Sequence, residues 1–99
     1  MAYKIEFFHK AEDEFDETLS YYKQQKEGLE QDFHDDYLVL EKRLKDSPEQ
    51  FPIIAENVRK ANFSKFPFSI IFVIKQVSVF ILAIFHQKRN PKAWLERIK

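Results

Sequence analysis

Phe68–Phe85, FSIIFVIKQVSVFILAIF, is the stretch whose reading decides the fold. Read as one helix, its 18 residues reach the length of a membrane span. Read as two strands, it is a hairpin turning at Lys75-Gln76-Val77. Lys75 and Gln76 stand at its centre, and a lysine at the middle of a spanning helix costs about 2.5–3.5 kcal/mol on insertion scales. The flanking runs are rich in Ile, Val and Phe, which fit a pleated, half-buried surface. The hairpin is therefore the better reading, although no Asn-Gly or Gly-X pair fixes where it turns. Simple alternation through the second run puts Val79, Ile81, Ala83 and Phe85 on one face and Phe80, Leu82 and Ile84 on the other. Both faces are apolar, so both need cover.

Upstream of this hairpin, Asn57–Phe66 reads as a more polar strand stopped by Pro67, and Ser47–Glu56, with Pro48 and Pro52, reads as a loop. Two helical stripes precede it. Ala11, Phe15, Leu19 and Tyr22 recur every three or four residues and predict a helix over 10–26. Leu29, Phe33, Tyr37, Leu40 and Leu44 predict a second, ending at Lys45-Asp46-Ser47-Pro48. Gly28, the single glycine, suits the left-handed position just past the first helix. So short a link makes the two helices an antiparallel hairpin. Tyr3–Phe8 reads as a short first strand. Beyond His86 the chain is basic, and Pro91 can open a short terminal helix over Lys92–Lys99.

The architecture expected is therefore α+β, in the order β-α-α-β-β-β, with a helical hairpin packed on an antiparallel sheet and a short C-terminal helix. Residues 1–99 form a single domain. The helical hairpin covers one sheet face only. The other is left for the C-terminal helix, a second copy or a partner chain, and apolar surface of this kind would gain stability from a bound partner.

The formal net charge of zero conceals a polarised chain. Residues 1–56 hold 7 Lys/Arg and 15 Asp/Glu, whereas residues 57–99 hold 9 Lys/Arg and one acid, Glu96. The basic half can face an anionic partner. The absence of cysteine excludes disulfides, a thiol nucleophile and cysteine-ligated metals. Together with an N-terminus lacking a signal-peptide pattern, it fits a cytoplasmic protein.

Several local motifs occur in a particular order. Ala11-Glu12-Asp13-Glu14-Phe15 precedes Tyr21-Tyr22, and Ser47-Pro48-Glu49-Gln50-Phe51-Pro52 lies before the second strand. Val58-Arg59-Lys60 leads to Phe66-Pro67-Phe68, and the chain closes with His86-Gln87-Lys88-Arg89-Asn90-Pro91-Lys92-Ala93-Trp94. In content and order this resembles the RelE/ParE superfamily, the toxins of bacterial type II toxin–antitoxin systems and plasmid stabilisation proteins. Phe68 stands where the family's Phe-Pro-Tyr signature has Tyr. The resemblance implies an antiparallel α+β fold, growth inhibition, and neutralisation by a cognate antitoxin protein whose extended segment wraps the toxin. It leaves two targets open, DNA gyrase for ParE-like members and the ribosome for RelE-like members, which cut mRNA. It also leaves open a homologue that only binds its antitoxin, and a homodimer or a toxin–antitoxin hetero-oligomer.

A metal-independent RNA cut needs a base for the ribose 2′-hydroxyl, cations for the phosphate and an acid for the leaving oxygen. His86, Arg59 and Arg89 are the catalytic candidates, His86 for proton transfer and the arginines for phosphate. Arg59 and His86 lie on strands that can converge on one face. Lys60, Lys65, Lys88, Lys92, Trp94 and Tyr21 are the candidate partner contacts. The lysines, with Arg59 and Arg89, are expected to form one basic patch, although alternation along the second strand puts Arg59 and Lys65 on one face and Lys60 on the other, so at most part of the set shares a face. The acidic helices and thin set of cations favour binding over cutting. The bland alternative is that Arg59 pairs with a nearby acid such as Glu56 and that His86 caps the sheet and orders the Arg89 tail. His9, His34 and His86 show no metal-ligand spacing, the acids Glu12–Glu17 read mostly as a solvated helix face, and one glycine allows no phosphate loop. No cofactor is implied.

Overall fold

The computed structural model describes residues 2–89 together with Arg97. The elements are β1 (Lys4–Phe7), α1 (His9–Gln25), α2 (Leu29–Asp46), β2 (Ile53–Ala55), β3 (Val58–Asn62), β4 (Phe68–Lys75) and β5 (Ser78–His86), with a 3-10 turn at Pro48–Gln50 before β2. The two helices match the two apolar stripes, and the decisive stretch is a hairpin of β4 and β5. It turns through Gln76 and Val77, with Gln76 taking the left-handed φ of 54° in place of a glycine. The expected terminal helix, with Lys92 and Trp94, lies outside the described residues.

The strands form one five-stranded sheet in the order β1-β5-β4-β3-β2. It departs from expectation in two ways. First, the sheet is mixed, because β1 pairs with β5 in parallel, Ile5 opposite Val79 and Phe7 opposite Ile81. Tyr3 and Lys4 start beside the β4–β5 turn, where the Lys4 N–H donates to the Val77 carbonyl at 2.8 Å. At the other end the Phe8 N–H donates to the Ile81 carbonyl as the chain turns into α1, so both strands run the same way. Second, the loop expected over Ser47–Glu56 contains β2, three residues paired antiparallel with β3 across a turn in which Glu56 is left-handed at φ 49°. Two prolines just before it, Pro48 and Pro52, and so short a run hide a strand from any periodicity. The expected strand over Asn57–Phe66 is correspondingly shorter. Gly28 is left-handed, at φ 87°, but acts as the N-cap of α2 rather than the residue directly past α1.

The helical hairpin covers one face of the sheet. Phe33 of α2 is the centre of that core. It stacks on Phe63 with centroids 4.9 Å apart and is met edge-on by Phe66 and Phe68. Ala11, Tyr37, Leu40, Leu44, Phe72, Val79 and Ile81 are among the other residues buried there. Burying each large apolar side chain contributes about 1.5–3 kcal/mol. On the opposite face Val58, Ile71, Val73, Leu82, Ala83 and Phe85 form a second cluster. These six are buried within one chain, so this face requires neither a second copy nor a partner at those positions. The large apolar side chains left exposed lie elsewhere, among them Val39 on α2 and Ile53 on the edge strand β2.

The two clusters correct the expected alternation of β5. Ile71 pairs with Ala83 but Phe72 pairs with Ile81, so Leu82 is an extra residue, a β-bulge. Up to Ile81 the alternation holds, with Val79 and Ile81 toward the helices. Past the bulge it inverts. Ile84 joins the helix-side core, and Ala83 and Phe85 join the opposite cluster.

Candidate groove at the open edge of β5

β1 ends at Phe7 while β5 continues to His86, so the last part of β5 has no described strand on that side. α1 runs alongside instead. Between them lies a groove of about 370 Å³ lined by Glu14, Glu17, Thr18, Tyr21 and Tyr22 of α1, Phe68 of β4, Ile84 and His86 of β5, and Arg89. Three of the sequence candidates, Tyr21, His86 and Arg89, thus come together. Tyr21 is an exposed rim residue set edge-on against Tyr22, with centroids 5.3 Å apart. Burial, and secondarily the neighbouring Tyr21, pushes the Tyr22 hydroxyl above its ordinary range.

Glu14 is not separable from its acidic neighbours by sequence, yet it is the half-buried member of the run. Its carboxylate accepts both guanidinium nitrogens of Arg97, Nη1 at 2.8 Å and Nη2 at 3.0 Å. Glu14 Oε1 also accepts the Ile84 N–H at 3.2 Å, and Arg97 Nη1 donates to the Leu82 carbonyl at 2.9 Å. Side chains therefore satisfy the backbone groups that a neighbouring strand would otherwise pair. Thr18 turns its hydroxyl back onto the Glu14 carbonyl at 2.7 Å.

His86 sits edge-on to Phe68, with centroids 5.2 Å apart. Its Nδ1 accepts the Lys88 N–H at 3.0 Å and its carbonyl accepts the Arg89 N–H at 3.0 Å. In the neutral ring this leaves the proton on Nε2, so His86 offers a donor and has its basic nitrogen occupied. The backbone turn that follows places Arg89 at the groove mouth.

Arg59 does not converge with His86. It faces the helix side of β3, where Nη1 donates to the carbonyls of Phe51 at 2.7 Å and Glu49 at 3.0 Å. The alternative pairing of Arg59 with an acid such as Glu56 is not among the ion pairs of the described residues, and the two carbonyls hold the guanidinium. Arg59 is in register with Phe72, and His86 with Phe68, four residues along and two strands across in total, roughly 16 Å between Cα atoms. The single basic patch divides accordingly. Lys60 lies opposite Ile71 on the other face of the sheet from Arg59, as alternation predicts. Lys65 belongs to the β3–β4 connection, where its N–H donates to Asp36. Lys88 and Arg89 share that end of the sheet, because the Gln87 N–H donates to the Pro67 carbonyl at 2.8 Å. Among the described residues no cluster of three or more His, Asp or Glu side chains is arranged to hold a metal, and no helix is long and apolar enough to cross a membrane.

No protein-family model matches the chain, and no curated protein does. Solved structures do. A chain of the chromosomal ParDE toxin–antitoxin system from P. aeruginosa superposes with a TM-score of 0.69 at 23% identity, covering 86% of this chain and 96% of that one. The E. coli toxin RelE, as a double arginine-to-alanine mutant in the free state, superposes with a TM-score of 0.64 at 14% identity over 100% of both chains. The chain has the RelE/ParE fold. At these identities the likeness is one of fold, and the RelE/ParE frame here carries its groove between α1 and the end of β5.

Proposed function

We propose that this protein is the toxin of a bacterial type II toxin–antitoxin pair, held inactive by a cognate antitoxin and acting by occupying its target, as a gyrase-directed ParE-like toxin does, rather than by cutting RNA. The fold supports the toxin assignment. The choice of binding over cutting rests on one observation: Arg59, one of the two arginines that the sequence offers to hold a phosphate beside His86, spends its guanidinium on the carbonyls of Glu49 and Phe51, two strands from His86. An RNA cut needs base, acid and cations around one phosphate. Arg89 is the only basic side chain lining the described groove with His86, and the His86 Nδ1 already accepts a backbone N–H. The contact surface in this reading is centred on Tyr21, His86 and Arg89 of the groove, with Lys88 next to them in the chain; Lys60, Lys65, Lys92 and Trp94 remain candidate contacts to be tested by substitution.

The test is induction of the protein in bacteria with and without the small acidic reading frame expected beside its gene, followed by supercoiling and translation assays on purified protein. Growth arrest relieved by the neighbour, with supercoiling lost and translation intact, is the expected result. Ribosome-dependent mRNA cleavage abolished by His86→Ala would replace binding with the nuclease. Growth unaffected by induction, with the antitoxin still bound, would leave a non-toxic antitoxin-binding homologue.

A further inference from the structure

The bulge at Leu82 inverts not only the side chains of β5 but also its edge. Up to the bulge, the carbonyl facing β1 is that of Ile81, which accepts the Phe8 N–H. The next carbonyl, that of Leu82, faces the same side and accepts Arg97 Nη1. Two consecutive carbonyls on one edge are incompatible with regular extended strand, and they mark where the register slips. From there Ile84 presents its N–H to Glu14, whereas an unbulged strand would present Ala83 and Phe85 to that edge and turn Ile84 toward β4.

We propose that the Glu14–Arg97 ion pair is a register clip: by holding the bulge at Leu82 it decides that His86, and not Phe85, faces the groove. Both registers satisfy the ladder with β4, since β4 offers the same backbone groups in either case. They differ in what they deliver. With the bulge, His86 lies against Phe68 at the end of the groove and Phe85 is buried in the opposite cluster. Without it, Phe85 takes the groove position and the imidazole moves to the face that carries Asn62 and Ser69. β5 contains no glycine or proline that would place a bulge on its own. The bulged register sends Ile84 to the helix-side core and Phe85 to the opposite cluster, and its edge is held by the bonds from Leu82 and Ile84 to Arg97 and Glu14. The pair is suited to the task, being bidentate and largely shielded, with side chains 17% and 16% exposed. Glu14 and Arg97 are thus positioning residues for His86, acting through the backbone from distant points in the chain. The clip rests on the reading of the groove as a contact surface only for its use. Its effect on His86 needs no partner to be seen.

The test is NMR on the full chain, wild type against Glu14→Ala/Arg97→Ala. The readouts are the nuclear Overhauser contact between the His86 and Phe68 rings and the exchange rate of the Ile84 amide, with the Phe33–Phe63 contact as the control for an intact core. The expected result is loss of the His86–Phe68 contact and exchange at Ile84 faster by about tenfold or more, as removal of a charge-assisted bond allows, with Phe33–Phe63 retained. Arg97→Lys should restore part of the His86 contact. Deleting Leu82 removes the bulge by design, so in that background His86 should stay against Phe68 even when Arg97 is alanine. If the double variant does not fold, Glu14→Gln, which breaks the ion pair and keeps an acceptor for Ile84, carries the comparison of the His86–Phe68 contact alone. A His86–Phe68 contact of wild-type strength in folded variants lacking the ion pair would overturn the clip. Because the readout is structural, that outcome leaves the toxin assignment standing, and failure of the growth assay leaves the clip standing.

Discussion

Asp36, buried on α2, accepts the backbone N–H of Lys65 through Oδ2 at 2.8 Å. A carboxylate from the helix layer thus holds the connection between β3 and β4. Asp36→Ala leaves that N–H without its partner and the connection loose, at a cost of about 1–3 kcal/mol. Asp36→Asn keeps an oxygen acceptor and should cost less. Urea unfolding of the three proteins checks the order, and equal midpoints for wild type and Asp36→Ala would show that the connection is held by other contacts.

Tyr37 gives the protein an alkaline limit. Burial, first, and its hydrogen bond to Glu41 at 2.7 Å, second, push its hydroxyl far above the ordinary tyrosine range. The folded state therefore keeps a proton that the unfolded chain releases near pH 10. Stability from this group is complete below about pH 10 and declines as pH rises beyond it, by about 1.4 kcal/mol per pH unit while only the unfolded tyrosine is ionised. Unfolding free energies between about pH 8 and pH 11 should fall less steeply for Tyr37→Phe than for wild type. Parallel slopes would assign the alkaline loss to other groups, Tyr22 first among them.

Arg59 and Arg89 should separate cleanly. Arg59→Ala breaks two bonds to the carbonyls of Glu49 and Phe51 and should lower stability by about 1.5–3 kcal/mol, with Arg59→Lys unable to reach both. Arg89→Ala, at an exposed position, should stay within about 0.5 kcal/mol of wild type. Thermal unfolding decides it. A stable Arg59→Ala would return that arginine to the list of free cations.

Gln76 occupies a left-handed turn position at φ 54° that favours glycine. Relief of that strain outweighs the added freedom of the unfolded chain, so Gln76→Gly should stabilise by about 0.5–1 kcal/mol. Gln76 lies at the opposite end of the sheet from the groove, so partner binding should be unaffected. A lower melting temperature would contradict this.

Arg89 is exposed at the groove mouth and Lys88 is exposed beside it in the chain, and each such charge is worth less than about 1 kcal/mol in affinity. Their effect should lie in association rate. Lys88→Glu/Arg89→Glu should slow antitoxin capture at low salt and matter less as salt rises. Stopped-flow binding at two salt concentrations is the check, and a rate indifferent to both would make these residues ordinary solvated surface.

What is legible in the sequence is what repeats locally. Both helices show themselves by apolar residues every three or four positions, and the helix boundaries fall within a few residues of those stripes. Lys75 and Gln76 identify the hairpin. Three features are not legible, each for a physical reason. β2 is three residues between prolines and a tight turn and carries no period. The parallel union of β1 with β5 depends on where the chain goes between them, not on either strand. The bulge at Leu82 is bonded by Glu14 and Arg97, which are remote from it in sequence, so alternation alone places Ala83, Ile84 and Phe85 on the wrong faces. The groove is half visible: Tyr21, His86 and Arg89 stand out, while Glu14 is hidden among its acidic neighbours Glu12, Asp13, Asp16 and Glu17.

The parallel pairing of β1 with β5 has a consequence for synthesis on the ribosome. β1 leaves the tunnel well before its partner, because Ile5 must wait for Val79. The helical hairpin can form from local contacts as it appears, and β3, β4 and β5 can zip in order as neighbours. β1 meanwhile stays an unpaired strand, and the sheet is closed on that side only after β5 has emerged. A nascent chain therefore carries its helices early but its groove late, so a partner that recognises the groove can engage only a protein whose β5 is already made.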